Sequence, residues 1–335
     1  MKKQERKRET RLDIMRVTSM FLVIIIHVAN CYCRNFHNIS HTSFLIAQIF
    51  NILARVCVPV FFIISGALLG KAPFNLKKYL KRISRFVIVI ILWDIIYLLW
   101  ETKVMGITYG KSWTYLLHDQ FRKHLWFLYT ILFIYILQPL ISLLLNKIKW
   151  KGHIIVFLLW LGACALLTLK MGHVTKYILK QICDGGYFVI GSILYEHTKD
   201  RKWKKINVPL IIIFIATNII NVIMSYNTSI IRNLNYKSYM AYTCPLIMIS
   251  SLAVFILVMN NYDKNNNKII LKMADVSFGI YLIHGIFLDT LKTFINFNSV
   301  PSIIGIPLFA IIIFMISFVA VSILKKIPIL NKYTT

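Results

Sequence analysis

Arg16 and His27 are the two residues of this sequence best placed to do chemistry together. They stand eleven residues apart in an otherwise apolar stretch, residues 14–31. On a helix, eleven steps of about 100° bring both side chains within about 20° of one face, about 16 Å apart along the axis. That face then carries a fixed cation near one end and a titratable base well inside. Histidine changes charge near neutral pH, which suits it to general-base work. Ionisable groups inside apolar spans are costly, so each is a functional candidate by default. The remaining ones are Arg55, Asp94, His284 and Asp289.

Each also has a plainer reading. Arg16 fits a side chain that snorkels to an interface. Arg55 and Asp94 fit a structural ion pair. Asp289, with Lys292, fits the end of its helix, and His284 fits a hydrogen-bonded packing residue. A second basic group lies in KKYLKRISRF, where Arg82 and Arg85 are three apart and share a helix face. Guanidinium forks suit phosphate oxygens. A loop that meets lipid headgroups is the plainer alternative.

The elements that hold these residues are apolar and long. The chain has 335 residues, 58% hydrophobic and only 15% charged. Apolar segments of about 16 to 25 residues recur throughout, the length that crosses a bilayer core. We read about ten transmembrane helices in one all-α polytopic bundle, at residues 14–31, 44–69, 86–100, 125–145, 154–169, 185–195, 208–224, 245–260, 277–294 and 303–324. The sixth is short, begins Gly-Gly, and invites a tilted, broken or backward-extended helix. No stretch is long and polar enough for a separate soluble domain, so residues 1–335 read as a single membrane domain.

The formal net charge is +27, which would ordinarily suggest nucleic acid. Here the cations sit in short loops between apolar spans, where they hold loops on the cytoplasmic side and meet anionic lipid. With the N-terminus inside, the segments assigned inside carry more than twice the Lys and Arg of those assigned outside. Both termini are therefore expected in the cytoplasm and the chain in the cell membrane as a multi-pass protein. The opening MKKQERKRETR has the outline of a signal peptide. Arg16 and His27 interrupt the apolar run that follows it, however, no small-residue cleavage site appears, and further spans come after. The cysteines, Cys31, Cys33, Cys57, Cys164, Cys183 and Cys244, lack zinc-ligand spacing and read as small buried hydrophobes. No metal is expected.

Five blocks, in order, resemble the membrane acyltransferase-3 family. RLDIMRVTSMFLVIIIH is similar to the family's first helix, an Arg, ten residues and a His, matched by Arg16 and His27. ARVCVPVFFIISGALL resembles its second-helix block, an Arg, here Arg55, before Val-Pro, then Phe-Phe and Ser-Gly. Arg82-Ile83-Ser84-Arg85 matches its Arg-x-x-Arg element. HLWFLYTILFIYILQPL resembles the fourth helix and VSFGIYLIHGIF the ninth.

The resemblance implies a membrane-bound O-acyltransferase. It would move an acyl group, commonly acetyl, from cytoplasmic acyl-coenzyme A to a carbohydrate or glycolipid across the membrane, as in O-acetylation of surface polysaccharides, lipid-linked sugars or peptidoglycan. It implies His27 as catalytic base and Arg16, Arg82 and Arg85 as donor-binding residues. Asp13, Arg55, Ser65, His124, Trp126 and His284 are candidates for substrate binding or support. His124 and Trp126 open the fourth span on the outer side, where an acceptor could approach or an interfacial anchor could sit. Ser65-Gly66 reads as tight packing or a donor-site wall, and Pro59 as a kink. The alternative is a transporter of an amino acid, sugar or polysaccharide built on the same bundle. Isolated membrane His and Arg suit that too, but the basic rim aligned with His27 has no use there.

Overall fold

The computed structural model describes residues 9–106, 124–167, 173–200, 203–262 and 268–327. These are helical, without strands. The long helices are α1 (Thr10–Arg34), α2 (His41–Ala54), α3 (Cys57–Leu69), α4 (Leu76–Leu99), α5 (Trp126–Lys147), α6 (Trp150–Leu166), α7 (His173–Thr198), α8 (Asn207–Ile231), α9 (Pro245–Asn261), α10 (Lys268–Phe294) and α11 (Ser302–Leu324).

Among the described residues, eight helical stretches are long and apolar enough to cross a membrane. That is fewer than the ten spans expected, and the difference lies in α6 and α7. α6 is a shorter apolar helix of 17 residues. α7 runs for 26 residues and carries polar groups such as Lys180 and Asp184 along its length. Its Gly-Gly pair neither starts nor breaks it. The helix extends back to His173, and Gly186 serves close packing: a Cβ there would come within 2.0 Å of the Trp160 indole.

The second expected span is two helices, α2 and α3, divided at Arg55–Val56. Pro59 accounts for the position of the break. It has no N–H to offer the carbonyl four residues back, which belongs to Arg55, and its ring crowds that carbonyl. The third expected span begins earlier than apolarity suggested. α4 starts at Leu76, where the Asn75 side chain accepts from the Lys78 N–H at 3.0 Å. The basic segment with Arg82 and Arg85 is therefore the first part of a continuous helix.

α1 is the centre of the bundle. It packs on α2, α3, α10 and α11, burying Leu12, Met15, Met20, Val23, Ile24 and Val28. α3 and α7 approach closely through glycine: a Cβ on Gly66 would lie 1.8 Å from the Phe188 carbonyl oxygen, and one on Gly191 2.4 Å from that of Ile63. Small residues allow such backbone contact between membrane helices. The outer helices leave rows of large side chains uncovered, Ile88, Ile91 and Ile95 on α4 and Ile212, Ile215, Ile219 and Ile223 on α8. A water-soluble protein would hide such rows, whereas a bilayer solvates them. The chain is a multi-pass membrane protein. All six cysteines are free thiols, and Cys33, Cys57, Cys164 and Cys183 are buried as expected of small hydrophobes.

Candidate active site: a histidine cluster above an arginine-lined cavity

Continuity of α1 keeps Arg16 and His27 on one rigid element. Around His27 the fold gathers two more imidazoles. His284 of α10 lies 5.2 Å from it, ring centre to ring centre, and His124, just before α5, lies 6.1 Å away. His124 and His284 are 5.1 Å apart. Both are almost completely buried, while His27 is partly accessible. No side-chain hydrogen bond holds the His27 ring among the described residues.

Two tyrosines fix the surroundings. Tyr281 donates its hydroxyl to the His124 carbonyl, and Tyr97 donates to the Leu282 carbonyl at 2.7 Å while its ring lies 4.9 Å from that of His124. Gly285 lets these groups close up, since a Cβ there would sit 2.8 Å from both His124 and the Tyr97 hydroxyl. His284 Nδ1 lies 2.6 Å from the Tyr281 carbonyl and 3.2 Å from that of Ile280. A carbonyl only accepts, so Nδ1 carries the proton and Nε2 keeps its lone pair. That Nε2 is buried and bonds to nothing among the described residues.

Below the cluster is a cavity of about 340 Å³, within the range of small-ligand sites. Arg16 lines it, and Asp13 holds the Arg16 guanidinium at 2.6 Å, one helical turn back. Its walls are chiefly Phe61, Ile64, Phe86, Phe127 and Phe278. Ser65 is also in the wall, where its hydroxyl meets that of Tyr135 at 3.4 Å. Ser65 and Gly66 thus divide the two readings made for them, the serine facing the cavity and the glycine packing on α7. Tyr281 and Phe127 line the cavity and pack on each other, and Tyr281 is also the residue bonded to His124. Arg82 lies over the face of Tyr135, 5.6 Å from the ring centre. Arg85, one turn on, is half-buried. Neither guanidinium has an ion pair among the described residues.

Arg55 sits at the break between α2 and α3. It does not pair with Asp94, correcting that expectation: Asp94 lies on the side of α4 facing α5 and accepts from the Tyr129 hydroxyl. Arg55 instead donates to Asn51 at 2.9 Å, and Asn51 donates to Asn30 of α1 at 3.0 Å. Its guanidinium lies 5.4 Å from the centre of the Tyr242 ring. Tyr242 stacks on Trp126, and Lys180 lies 4.5 Å from the Trp126 ring centre. Asp289 and Lys292 pair with each other at 2.8 Å near the end of α10, as the plainer reading had it.

Sequence reasoning missed Tyr97 and Tyr281. A tyrosine in an apolar span signals a hydroxyl that needs a partner, but not which one. His124 and His284 had been marked singly, and their convergence on His27 depends on packing between residues 97 to 257 positions apart in the chain.

No curated protein and no solved structure matches the chain significantly. The arginine-to-histidine helix, the cavity beneath the histidines and the apolar bundle are joined by a match to the acyltransferase domain model over residues 9–325, nearly the whole chain, and the protein therefore belongs to the acyltransferase-3 family of membrane-bound acyltransferases.

Proposed function

We propose that the protein is an acyl-coenzyme A-dependent O-acyltransferase of the cytoplasmic membrane. It carries an acyl group, acetyl foremost, from the cytoplasmic side to a hydroxyl of a carbohydrate or glycolipid on the other side. The observation that carries this reading is the cavity. It has an arginine at its lining, an apolar and aromatic wall, and a tyrosine that bridges it to the three-histidine cluster. A ligand with an anionic head and an apolar arm suits that lining, and acyl-coenzyme A supplies the activated thioester.

Arg16, oriented by Asp13, together with Arg82 and Arg85, would bind the donor phosphates through charge-assisted hydrogen bonds. His27 takes the proton of the acceptor hydroxyl as its oxygen attacks the thioester carbonyl. The new C–O bond forms, the C–S bond breaks, and the proton passes from His27 to the departing thiolate. His284, with its lone pair fixed on Nε2, supports that exchange as a second acceptor beside His27. Lys180 and Arg55, which flank the Trp126–Tyr242 stack, offer several donors to a sugar ring.

Thermal stabilisation of the purified protein by a panel of acyl-coenzyme A compounds tests the reading, since ligand binding raises apparent stability by mass action. One or more should raise the melting temperature. A panel without effect, alongside stabilisation by a free sugar or amino acid, would favour transport instead. The basic-loop asymmetry further supports cytoplasmic termini. Reporters fused after Thr335 and within residues 225–241 should lie on opposite sides.

A further inference from the structure

Away from the histidine cluster, at the end of the bundle where α1 begins, three side chains from two helices converge. His153 stands in the first turn of α6, and Glu196 and His197 in the last turn of α7. One ligand atom from each lies within 4.8 Å of the others, and among the described residues no other group of three does so. The backbone carbonyl of Lys199, just beyond, accepts from the Arg11 guanidinium of α1 at 2.8 Å, which fixes the location.

The spacing of the two imidazoles is informative. His197 Nε2 and His153 Nδ1 are 3.4 Å apart. That is at the long end for a direct hydrogen bond, N–H···O bonds preferring about 2.7–3.2 Å. It equals the edge of a tetrahedron with metal–nitrogen bonds of about 2.0–2.1 Å, roughly 3.3–3.4 Å. Burial adds a second observation: His153 is only 6% exposed, so its ring is held in place with Nδ1 toward His197. The Trp150 ring packs edge-on against His197, 5.1 Å away, and limits its freedom. Glu196 is exposed and meets Lys71 Nζ at 2.5 Å, so a cation already neutralises the carboxylate that would be the third ligand.

We infer that His153, Glu196 and His197 form a binding site for a divalent first-row transition ion, zinc foremost, with the fourth position open to water. Two imidazoles and a carboxylate are a ligand set that such ions accept. Lys71 holds the Glu196 carboxylate when the ion is absent and yields it on binding. The site departs from the sequence expectation of no metal, which rested on the spacing of the cysteines. Its consequence is mechanical. α6 is tied to α7 midway by the Trp160 indole N–H, which donates to the Cys183 carbonyl at 2.8 Å, and the ion would tie the ends as well. α7 packs along α3, whose Ile64, Ser65 and Leu68 wall the cavity.

The test is metal binding by the full chain in detergent, stripped with chelator and carrying a tag without histidine. Wild type should bind one equivalent of Co²⁺ with the visible absorption of a tetrahedral ion, and Zn²⁺ should displace it. The double variant His153→Ala/His197→Ala should lose at least about tenfold in Zn²⁺ affinity. Glu196→Gln, an isosteric change at an exposed position, should weaken binding in the same direction while leaving the melting temperature of the metal-free protein unchanged. Lys71→Gln should tighten it. Failure of the wild type to bind one equivalent overturns the site, as does Zn²⁺ affinity in both Glu196→Gln and the histidine double variant equal to that of wild type.

Discussion

α1 and α8 are each 25 residues long, and both belong to stretches apolar enough to cross a membrane. Yet 61% of the most apolar part of Thr10–Arg34 is buried in the protein, against 17% for Lys204–Ile231. Apolarity cannot explain the difference, because lipid tails solvate apolar side chains as well as protein does. The placement of polar groups explains it. On α1, Thr10, Arg11, Asp13, Arg16, Ser19, His27 and Asn30 point around most of the helix circumference. Such a helix must be covered by protein on most of its sides. On α8 the buried polar groups, Thr217, Asn218, Asn221, Ser225 and Ser229, fall within about 120° of arc. One stripe needs one seam, and the isoleucines elsewhere face outward.

The two sets of polar groups also do different work. Those of α8 join helices: Asn218 donates to Ser250 of α9 at 2.9 Å, and Ser229 accepts from Gln48 of α2 at 3.2 Å. Those of α1 include Arg16 at the cavity and His27 beside two other histidines. Substitution on α1 should therefore cost chemistry, and substitution on α8 only stability.

The largest effect belongs to His27. An amide cannot take a proton from the acceptor, so His27→Gln should lower acyl transfer by about 10²-fold or more. Coenzyme A affinity should persist, because Arg16 lies about 16 Å away along α1 and Arg82 and Arg85 stand on another helix, α4. Acyl incorporation into cell-surface glycan, with coenzyme A binding by the purified variant, measures both. Transfer near the wild-type rate would remove the general base and collapse the contrast between the helices.

Next comes the donor end. Arg82→Ala with Arg85→Ala should weaken coenzyme A binding by about tenfold or more, the worth of one charge-assisted hydrogen bond. If affinity in detergent stays unchanged while the protein remains folded, the basic start of α4 meets only lipid.

A smaller effect is expected on the α8 seam. Asn218→Leu removes an interhelical hydrogen bond and should cost about 0.6 kcal/mol, the usual scale for such bonds in membrane proteins. Transfer per folded molecule should not change. A loss of transfer at full stability would mean that the seam reaches the reaction and is more than glue.

The smallest effect is expected on the outer face of α8. Ile215→Leu with Ile219→Leu keeps an apolar surface in lipid, and stability should stay within about 0.5 kcal/mol of wild type. A larger loss in an unfolding titration would indicate that this face is covered by another protein surface.

Much of this was legible in the sequence because helix geometry is local. The eleven-residue spacing alone puts Arg16 and His27 on one face, and Pro59 alone condemns the hydrogen bond to Arg55 that would have carried α2 into α3. Recurrent apolar runs likewise determine the class of the protein, since only helices of that length satisfy their backbone inside lipid. Tertiary structure decided what those helices bring together. His124 and His284 reach His27, Arg55 turns to Asn51 rather than Asp94, and His153 meets His197 from 44 positions away. Such meetings depend on which faces pack and at what depth, and in a membrane nearly every face is apolar. The choice falls to a few glycines and polar side chains, Gly66, Gly191 and Gly285 among them, whose partners are remote in the chain and leave no periodic signal behind.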